Sequence, residues 1–155
     1  MLFKFSKLAI PTVMATMTIH STTVNAAELV TKESPHPVDE TMDRLVSAVE
    51  SAGARVAARV DHSLAAGTVG IDLAPNQVLI FGNPKIGSPI FLENPAAGLD
   101  LPIRVSVFED ADGKTIVAYH PPSDLVEAYE IDEDLKSLKV MGGALDKLTN
   151  AAIAR

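Results

Sequence analysis

The chain has 155 residues, with 20 acidic and 13 basic side chains, a net charge of −7, 47% hydrophobic residues and no cysteine. Because it contains no basic run longer than a pair, the acidic balance argues against binding to nucleic acid or to anionic lipid surfaces. The absence of cysteine excludes disulfides, thiol catalysis and thiolate metal sites.

The first 26 residues have the pattern of a secretory signal peptide. Lys4 and Lys7 precede an uncharged, largely apolar stretch over residues 8–19, and small residues at Val24 and Ala26 fit signal-peptidase cleavage after Ala26. The stretch is too short, and too interrupted by proline and threonine, to span a bilayer stably. The sequence therefore predicts a cleaved leader and a periplasmic or secreted protein, with an uncleaved anchor as the alternative.

The remaining chain, 27–155, is predicted to form a single domain that begins with a strand and a helix. The residues LVTKES predict the strand, which ends before two prolines. Asp39 is a suitable N-cap for the helix, whose apolar side chains recur at helical spacing until Gly53 stops it. The segment ARVAARVDH then alternates, with Val56, Ala58 and Val60 expected on one face of a half-exposed strand and Arg55, Ala57 and Arg59 on the other. Ser63 is expected to cap a short helical turn.

The next segment combines a buried strand with a stiff turn. The run QVLIF predicts a central strand, and GNPKIGSP follows it directly. Gly82 and Asn83 are expected to adopt positive φ, while Ser88 and Pro89 predict the cap and first residue of a short helix over residues 90–92. We expect this turn to form the polar rim of an apolar cleft between the sheet and the segment after it.

The last third of the chain predicts a hairpin and two helices. Residues 103–108 and 115–119 alternate around an Asp-Gly turn. Ser123 is expected to cap a short helix and Asp132 a longer one, which contains Gly142 and Gly143 and should pack closely or bend there. The whole order predicts a two-layer α+β domain, a mostly antiparallel sheet covered by helices, rather than a doubly wound parallel sheet.

Several short segments of this sequence are similar to segments found in one family. ARVDH, LIFGNPKIGSPI, GLDLPIRVSVFEDADGKTIVAY and the Pro and Leu of PPSDL resemble the domain of unknown function 302 family over about residues 31–155. Phe108 and Ser88 stand where the family commonly has Trp and Thr. The resemblance implies a β-α-β(4)-α domain similar to the TATA-binding-protein fold, and it implies no activity.

The candidate site residues follow from their chemistry. Asp61 and His62 could form a carboxylate-oriented general base, but the favoured interpretation makes Asp61 or Ser63 a helix cap and His62 a polar rim residue. His36 and His120 are expected to be surface loop residues. No spacing of ligands predicts a metal site, and no cofactor is expected. The predicted ligand-binding residues are His62, Asn83, Lys85, Asp100 and Tyr119.

Three functions remain open at this stage. The first is a non-enzymatic module that binds a small molecule or peptide in the cleft beside the turn. The second is a homo-oligomeric interaction or assembly protein, for example a homodimer. The third is a small hydrolase or isomerase that uses Asp61 and His62.

Overall fold

The computed structural model describes residues 29–155. The predicted leader, 1–26, and its cleavage site lie outside the described residues. The elements in chain order are β1 (Val30–Ser34), α1 (Val38–Ser51), β2 (Arg55–Asp61), α2 (His62–Gly67), β3 (Asn76–Gly82), α3 (Pro84–Glu93), a 3₁₀ helix (Pro95–Leu99), β4 (Ile103–Glu109), β5 (Thr115–Tyr119), α4 (Asp124–Tyr129) and α5 (Lys136–Ile153).

The five strands form one sheet in the order β1-β5-β4-β3-β2, and every neighbouring pair is antiparallel. Helices α1 and α5 pack against each other and contact the strands from one side. The predicted α+β class with a mostly antiparallel sheet is therefore confirmed. The tight β4–β5 hairpin explains why no crossover helix is needed between these strands.

The core lies between the sheet and these two helices, because alternate strand residues point toward them. Strand β4 buries Val105 and Val107, and β3 buries Leu79 and Phe81. Helix α1 contributes side chains one turn apart, at spacings that the 3.6-residue period places on one face. The fully or nearly fully buried helical residues include Met42, Leu45, Val49, Leu145 and Ala152.

Two helix ends differ from the sequence prediction. Helix α1 begins at Val38, with Pro37 at the N-cap position instead of Asp39. Helix α5 begins at Lys136, because the Asp132 carboxylate accepts a hydrogen bond from the Asp134 amide at 2.9 Å and closes a separate local turn first. The predicted stop of α1 at Gly53 is confirmed by its positive φ of 72°.

The turn after β3 also differs from the prediction. Helix α3 begins at Pro84, and the Asn83 side chain caps it by accepting a hydrogen bond from the Lys85 amide at 3.0 Å. Asn83 has an extended φ of −125°, so the expected positive φ is wrong. Ser88 and Pro89 lie inside the helix, where Pro89 has no N–H to donate to the carbonyl of the preceding turn. The predicted start at Ser88 is therefore wrong.

The glycine pair of α5 is not a close-packing point. A Cβ at Gly142 or Gly143 would have no heavy atom within 4 Å. The expectation that the two glycines let another element approach closely is therefore wrong, and both positions have room for a side chain.

Candidate functional site

A cleft of about 480 Å³ opens where β3 meets α3. We call it the bend cleft; the ends of β2 and β3, helix α3, residues 101–103 and one side of α5 surround it. Its apolar lining comprises Ala52, Ala54, Val56, Ala57, Phe81, Pro84, Ile86, Phe91, Leu101, Pro102, Ile103, Met141, Ala144, Leu145 and Leu148. A volume of this size with a mainly apolar lining is typical of small-molecule sites.

The walls of the bend cleft are fixed by local structure. Asn83 caps α3 and Pro84 occupies its first position, so the chain leaves β3 along a defined path. Gly82 lets Pro102 lie close by, because a Cβ at Gly82 would meet the Pro102 Cβ at 3.4 Å. Leu145, a core residue of α5 with only 2% of its surface exposed, forms the wall of the cleft next to the core. The cleft is therefore formed without a ligand.

Arg55 lines the bend cleft, although the sequence analysis did not single it out. Alternation alone put Arg55 and Arg59 on the same face of β2, but the register shifts between Val56 and Ala58. After this irregularity, Arg59 lies opposite Leu79 and binds Asp43 on α1, whereas Arg55 lies opposite Gly82. The expectation of one common face is therefore wrong. A bulge has no reliable sequence signal, and so the opposite faces of Arg55 and Arg59 could not be read from the alternation.

A second cavity, of about 1040 Å³, lies between the start of β4, α4 and α5. We call it the polar cleft. The carboxylate of Asp100 accepts hydrogen bonds there from the Arg104 guanidinium, at 2.6 Å, and from the Tyr129 hydroxyl. The hydrogen bond to Asp100 raises the pKa of Tyr129, and partial desolvation adds to the effect. Tyr129 therefore stays a hydrogen-bond donor at neutral pH.

His120 also lines the polar cleft. Its Nδ1 lies 3.5 Å from the Asp124 Oδ2, a buried oxygen that has no hydrogen-bond partner among residues 29–155. The imidazole is about two-thirds exposed, and this contact is too long for a hydrogen bond. His120 therefore lies at the surface between β5 and α4, as the sequence predicts.

Asp61 is committed to capping α2. Its Oδ1 accepts hydrogen bonds from the Leu64 amide at 2.8 Å and from the Ser63 hydroxyl at 2.6 Å. The backbone hydrogen bond from Leu64, followed by that from Ser63, lowers the pKa of Asp61. The capping alternative is confirmed for Asp61, and Ser63 supports the cap instead of forming it. The carboxylate makes no hydrogen bond to His62 in the part of the chain that the structure describes.

The structure distributes the five predicted ligand-binding residues over separate places. Asn83 lines the bend cleft and Asp100 lines the polar cleft. Tyr119 is buried in the core, whereas His62 and Lys85 are exposed at the starts of α2 and α3, outside both linings. Only Asn83 therefore lies where the sequence expected a cleft, and a binding role for the other four stays a prediction.

Between residues 29 and 155, no three or more His, Asp or Glu side chains are grouped so that they could hold a metal ion. None of the helices in this range is both long enough and apolar enough to cross a membrane.

Comparisons with known proteins give one family and one fold. The family described as Domain of unknown function DUF302 matches residues 30–154. The fluoride-specific ion channel FluC 1 of Brucella suis biovar 1 (strain 1330) is 36% identical over 123 residues, which are 77% of this chain and 48% of that protein. The fluoride-specific ion channel FluC 2 of Brucella melitensis biotype 1 gives the same identity, with 46% of that protein covered. The chain thus spans about half the length of these curated relatives.

The crystal structure of an uncharacterized conserved DUF302 protein from Bacillus stearothermophilus is similar to this chain. The TM-score is 0.64 at 22% sequence identity, and the similarity covers 83% of this chain and 97% of that one. At this identity the similarity establishes the fold and nothing about the ligand.

Proposed function

The chain belongs to the family of the Domain of unknown function DUF302, and we propose that it is a non-enzymatic binding module whose ligand occupies the bend cleft. The ligand is a small, largely apolar molecule or the apolar part of a peptide. The observation that carries this proposal is the cleft itself, a cavity of about 480 Å³ lined mainly by apolar side chains beside a rigid helix start.

Binding is favoured over simple incomplete packing by the exposure of aromatic surface at the cleft. Phe91 lines it and is 38% exposed, although an aromatic ring of this size normally contributes to a core. A ligand that covers this ring and the neighbouring apolar walls gains about 25 cal/mol for each Å² of apolar surface removed from water. The chain already fixes the walls, so little conformational entropy is lost on binding.

We further propose that the module acts after export, in the periplasm or outside the cell. The support comes from the sequence alone: Lys4 and Lys7, the apolar stretch over residues 8–19, and the small residues that end at Ala26. Mass spectrometry of the protein purified from the periplasmic fraction tests this part. A mature N-terminus at Ala27 supports it, and an intact chain retained in the cytoplasm contradicts it.

The binding experiment uses N-phenyl-1-naphthylamine, an uncharged apolar dye whose fluorescence rises in apolar surroundings. Gly87 lines the bend cleft, and a Cβ there would approach the Phe91 ring at 3.9 Å, an ordinary contact. Gly87→Leu therefore places a bulky side chain in the cleft. Gly143→Leu is the matched control, because Gly143 lies in a helix with open space beside it and outside the lining.

We expect the wild-type protein to bind the dye at one saturable site. The Gly87→Leu variant should bind it at least about tenfold more weakly, which corresponds to losing part of one buried apolar contact surface. The Gly143→Leu variant should bind it as the wild type does. No saturable binding to the wild type, or equal binding by Gly87→Leu, contradicts the proposed function.

A second candidate is an interaction protein that assembles with another copy of this chain. Strand β2 is an edge of the sheet, and large apolar side chains on it and on the segment after it are exposed. These side chains are Val60, Leu64, Val69, Ile71 and Leu73. The match to about half of proteins named as fluoride-specific ion channels also supports an interaction role, since a similar sequence, 36% identical, occurs there joined to a further part.

Light scattering tests the second candidate. A dimeric mass that falls to a monomer in Ile71→Glu supports assembly through this surface. A monomeric mass for the wild type at high concentration removes this candidate and leaves the binding proposal intact.

A further inference from the structure

The sheet has one face that is turned away from α1 and α5. Strand pairing places on this side the residues that alternate with the core positions. Its large apolar side chains, which we call the open face, are Val60, Val78, Ile80, Phe108 and Ile116. None of these five is buried, whereas Val105 and Val107 on the helix side of β4 are completely buried. The sheet therefore presents an apolar surface to solvent.

The connection between β2 and β3 adds a second apolar surface. Residues 62–75, which we call the arm, contain α2 and the loop after it, and none of them is buried. The arm leaves β2 just after Val60 and enters β3 just before Val78, so it adjoins the open face. Its large apolar side chains are between 41% and 73% exposed: Leu64, Val69, Ile71 and Leu73. Exposed apolar surface that extends this far marks an interaction site.

The area of the open face sets a condition on its partner. The five strands contain five to seven residues each. With strands about 4.8 Å apart and a rise of about 3.3 Å per residue, the face covers roughly 400 Å². A stable protein interface buries about 800 Å² on each partner. The open face alone is too small for this, and the arm has to take part.

Two unpaired charges of opposite sign lie at the two ends of this surface. Arg55 is paired with Gly82, which puts its side chain on the same side of the sheet as the open face. Asp72 lies on the arm, beyond the other end of β2. Both residues are exposed, and neither makes an ion pair within the range 29–155. The seven residues of β2 span about 20 Å, so the two side chains do not meet within one copy.

We infer that two copies of this chain pack open face against open face, and that Asp72 on each arm pairs with the partner's Arg55. A two-fold axis that runs across the strands brings the arm end of β2 in one copy over the Arg55 end in the other. Both ion pairs and both arm contacts therefore form twice. The inference goes beyond the binding proposal, whose cleft lies on the helix side of the sheet, and it specifies an interface for the second candidate function.

Pairing of two β2 edges into one continuous sheet is the main alternative arrangement. The register of β2 shifts between Val56 and Ala58, and such an irregularity hinders the addition of a further strand. Edge pairing also leaves Phe108 and Ile116 uncovered, because β4 and β5 lie two and three strands away from β2. Packing of the two faces covers these side chains and uses the unpaired charges.

Sedimentation equilibrium of the purified protein and its variants tests the interface. Ile116→Glu places a charge within the open face, and Leu92→Glu is the matched control, because Leu92 is 87% exposed and lies on α3. Arg55→Asp and Asp72→Arg each put like charges at both contacts of the dimer. An equimolar mixture of these two variants restores opposite charges at both contacts of the mixed dimer. Arg55 and Asp72 are exposed, so neither substitution should unfold the protein.

We expect the wild type and Leu92→Glu to form equally tight dimers. Ile116→Glu should dimerise at least about a hundredfold more weakly, since the dimer would bury an unpaired carboxylate in each copy. Arg55→Asp and Asp72→Arg should each weaken dimerisation about tenfold, and their mixture should associate as tightly as the wild type.

Three results overturn the inference: a monomeric wild type, a dimer that Ile116→Glu leaves intact, or a mixture that associates no more tightly than either variant alone. The circular dichroism spectrum of each variant shows whether it is folded, and the charge variants decide the question if Ile116→Glu is not. Dye binding at the bend cleft is measured separately, so a failure of the binding proposal is distinguished from a failure of this interface.

Discussion

Replacement of Asn83 by alanine tests its role as the N-cap of α3. The Asn83 oxygen accepts the hydrogen bond of the Lys85 amide at 3.0 Å, and alanine leaves this amide without a partner in the protein. Because the Asn83 backbone is extended, with φ −125° and ψ 116°, alanine adopts it without strain. The loss is therefore that of a typical N-cap, about 1 kcal/mol of the free energy of unfolding.

For a domain of this length, about 1 kcal/mol corresponds to a decrease in Tm of about 4 °C. Asn83→Asp is the control: it keeps an oxygen acceptor and adds a negative charge at the helix N-terminus, so its stability should equal or slightly exceed that of the wild type. Differential scanning calorimetry measures both variants. An unchanged Tm for Asn83→Ala, or an equal decrease for Asn83→Asp, would refute the capping argument.

Three further predictions concern stability. Gly143→Ala should raise the free energy of unfolding by about 1 kcal/mol, because the new Cβ meets no heavy atom within 4 Å and alanine favours the helix. A lower free energy of unfolding than that of the wild type, measured by urea denaturation, would contradict this. Leu145→Ala should lower the free energy of unfolding by about 2–5 kcal/mol in the same assay. Leu92→Ala, at an 87% exposed position, should change it by no more than about 0.5 kcal/mol, and equal effects of the two substitutions would contradict the burial of Leu145 in the core. Asp61→Asn should remove a stability increment that is present above the ordinary carboxyl pKa of 3.8 and is lost as the pH falls through the lower folded-state pKa. The difference in Tm between Asp61→Asn and the wild type should therefore shrink on acidification from pH 7 to pH 3, and a difference independent of pH would argue against the charged cap.

The sequence predicted the sheet well because its signals are local. The alternation in residues 103–108 and 115–119 and the Asp-Gly turn between them define a hairpin without reference to the remaining chain. Gly113 has the positive φ of 75° that such a turn requires. The periodicity of α1 likewise defines its buried face. These features need only neighbours in sequence, and the structure confirms them.

The start of α3 could not be predicted locally, because the sequence offers two equivalent signals. Asn83-Pro84 and Ser88-Pro89 each combine a capping side chain with a proline suited to the first helical position. The structure uses the earlier pair and accepts Pro89 inside the helix. Ile90 of α3 is buried, with none of its surface exposed, and this tertiary packing is not predictable from local sequence rules.

The sequence predicted where the cleft lies but not most of the residues that line it. The stiff turn after β3 does border a cleft, and Asn83 lines it as expected from the sequence. The cleft residues on β2 and α5 come from distant parts of the chain, and their convergence depends on the packing of α5 against the sheet end. The register shift in β2 turns Arg59 toward α1 and leaves Arg55 on the opposite face. Neither feature has a signature in the local sequence.

The most direct test of the proposed binding site is a map of backbone amide shifts on titration of the ¹⁵N-labelled protein with N-phenyl-1-naphthylamine. The account predicts saturable shifts confined to the bend cleft, from Phe81 to Phe91, near Arg55, and along α5 from Met141 to Leu148. Shifts centred on residues 120–128 at the polar cleft, or no saturable shifts at all, would contradict it.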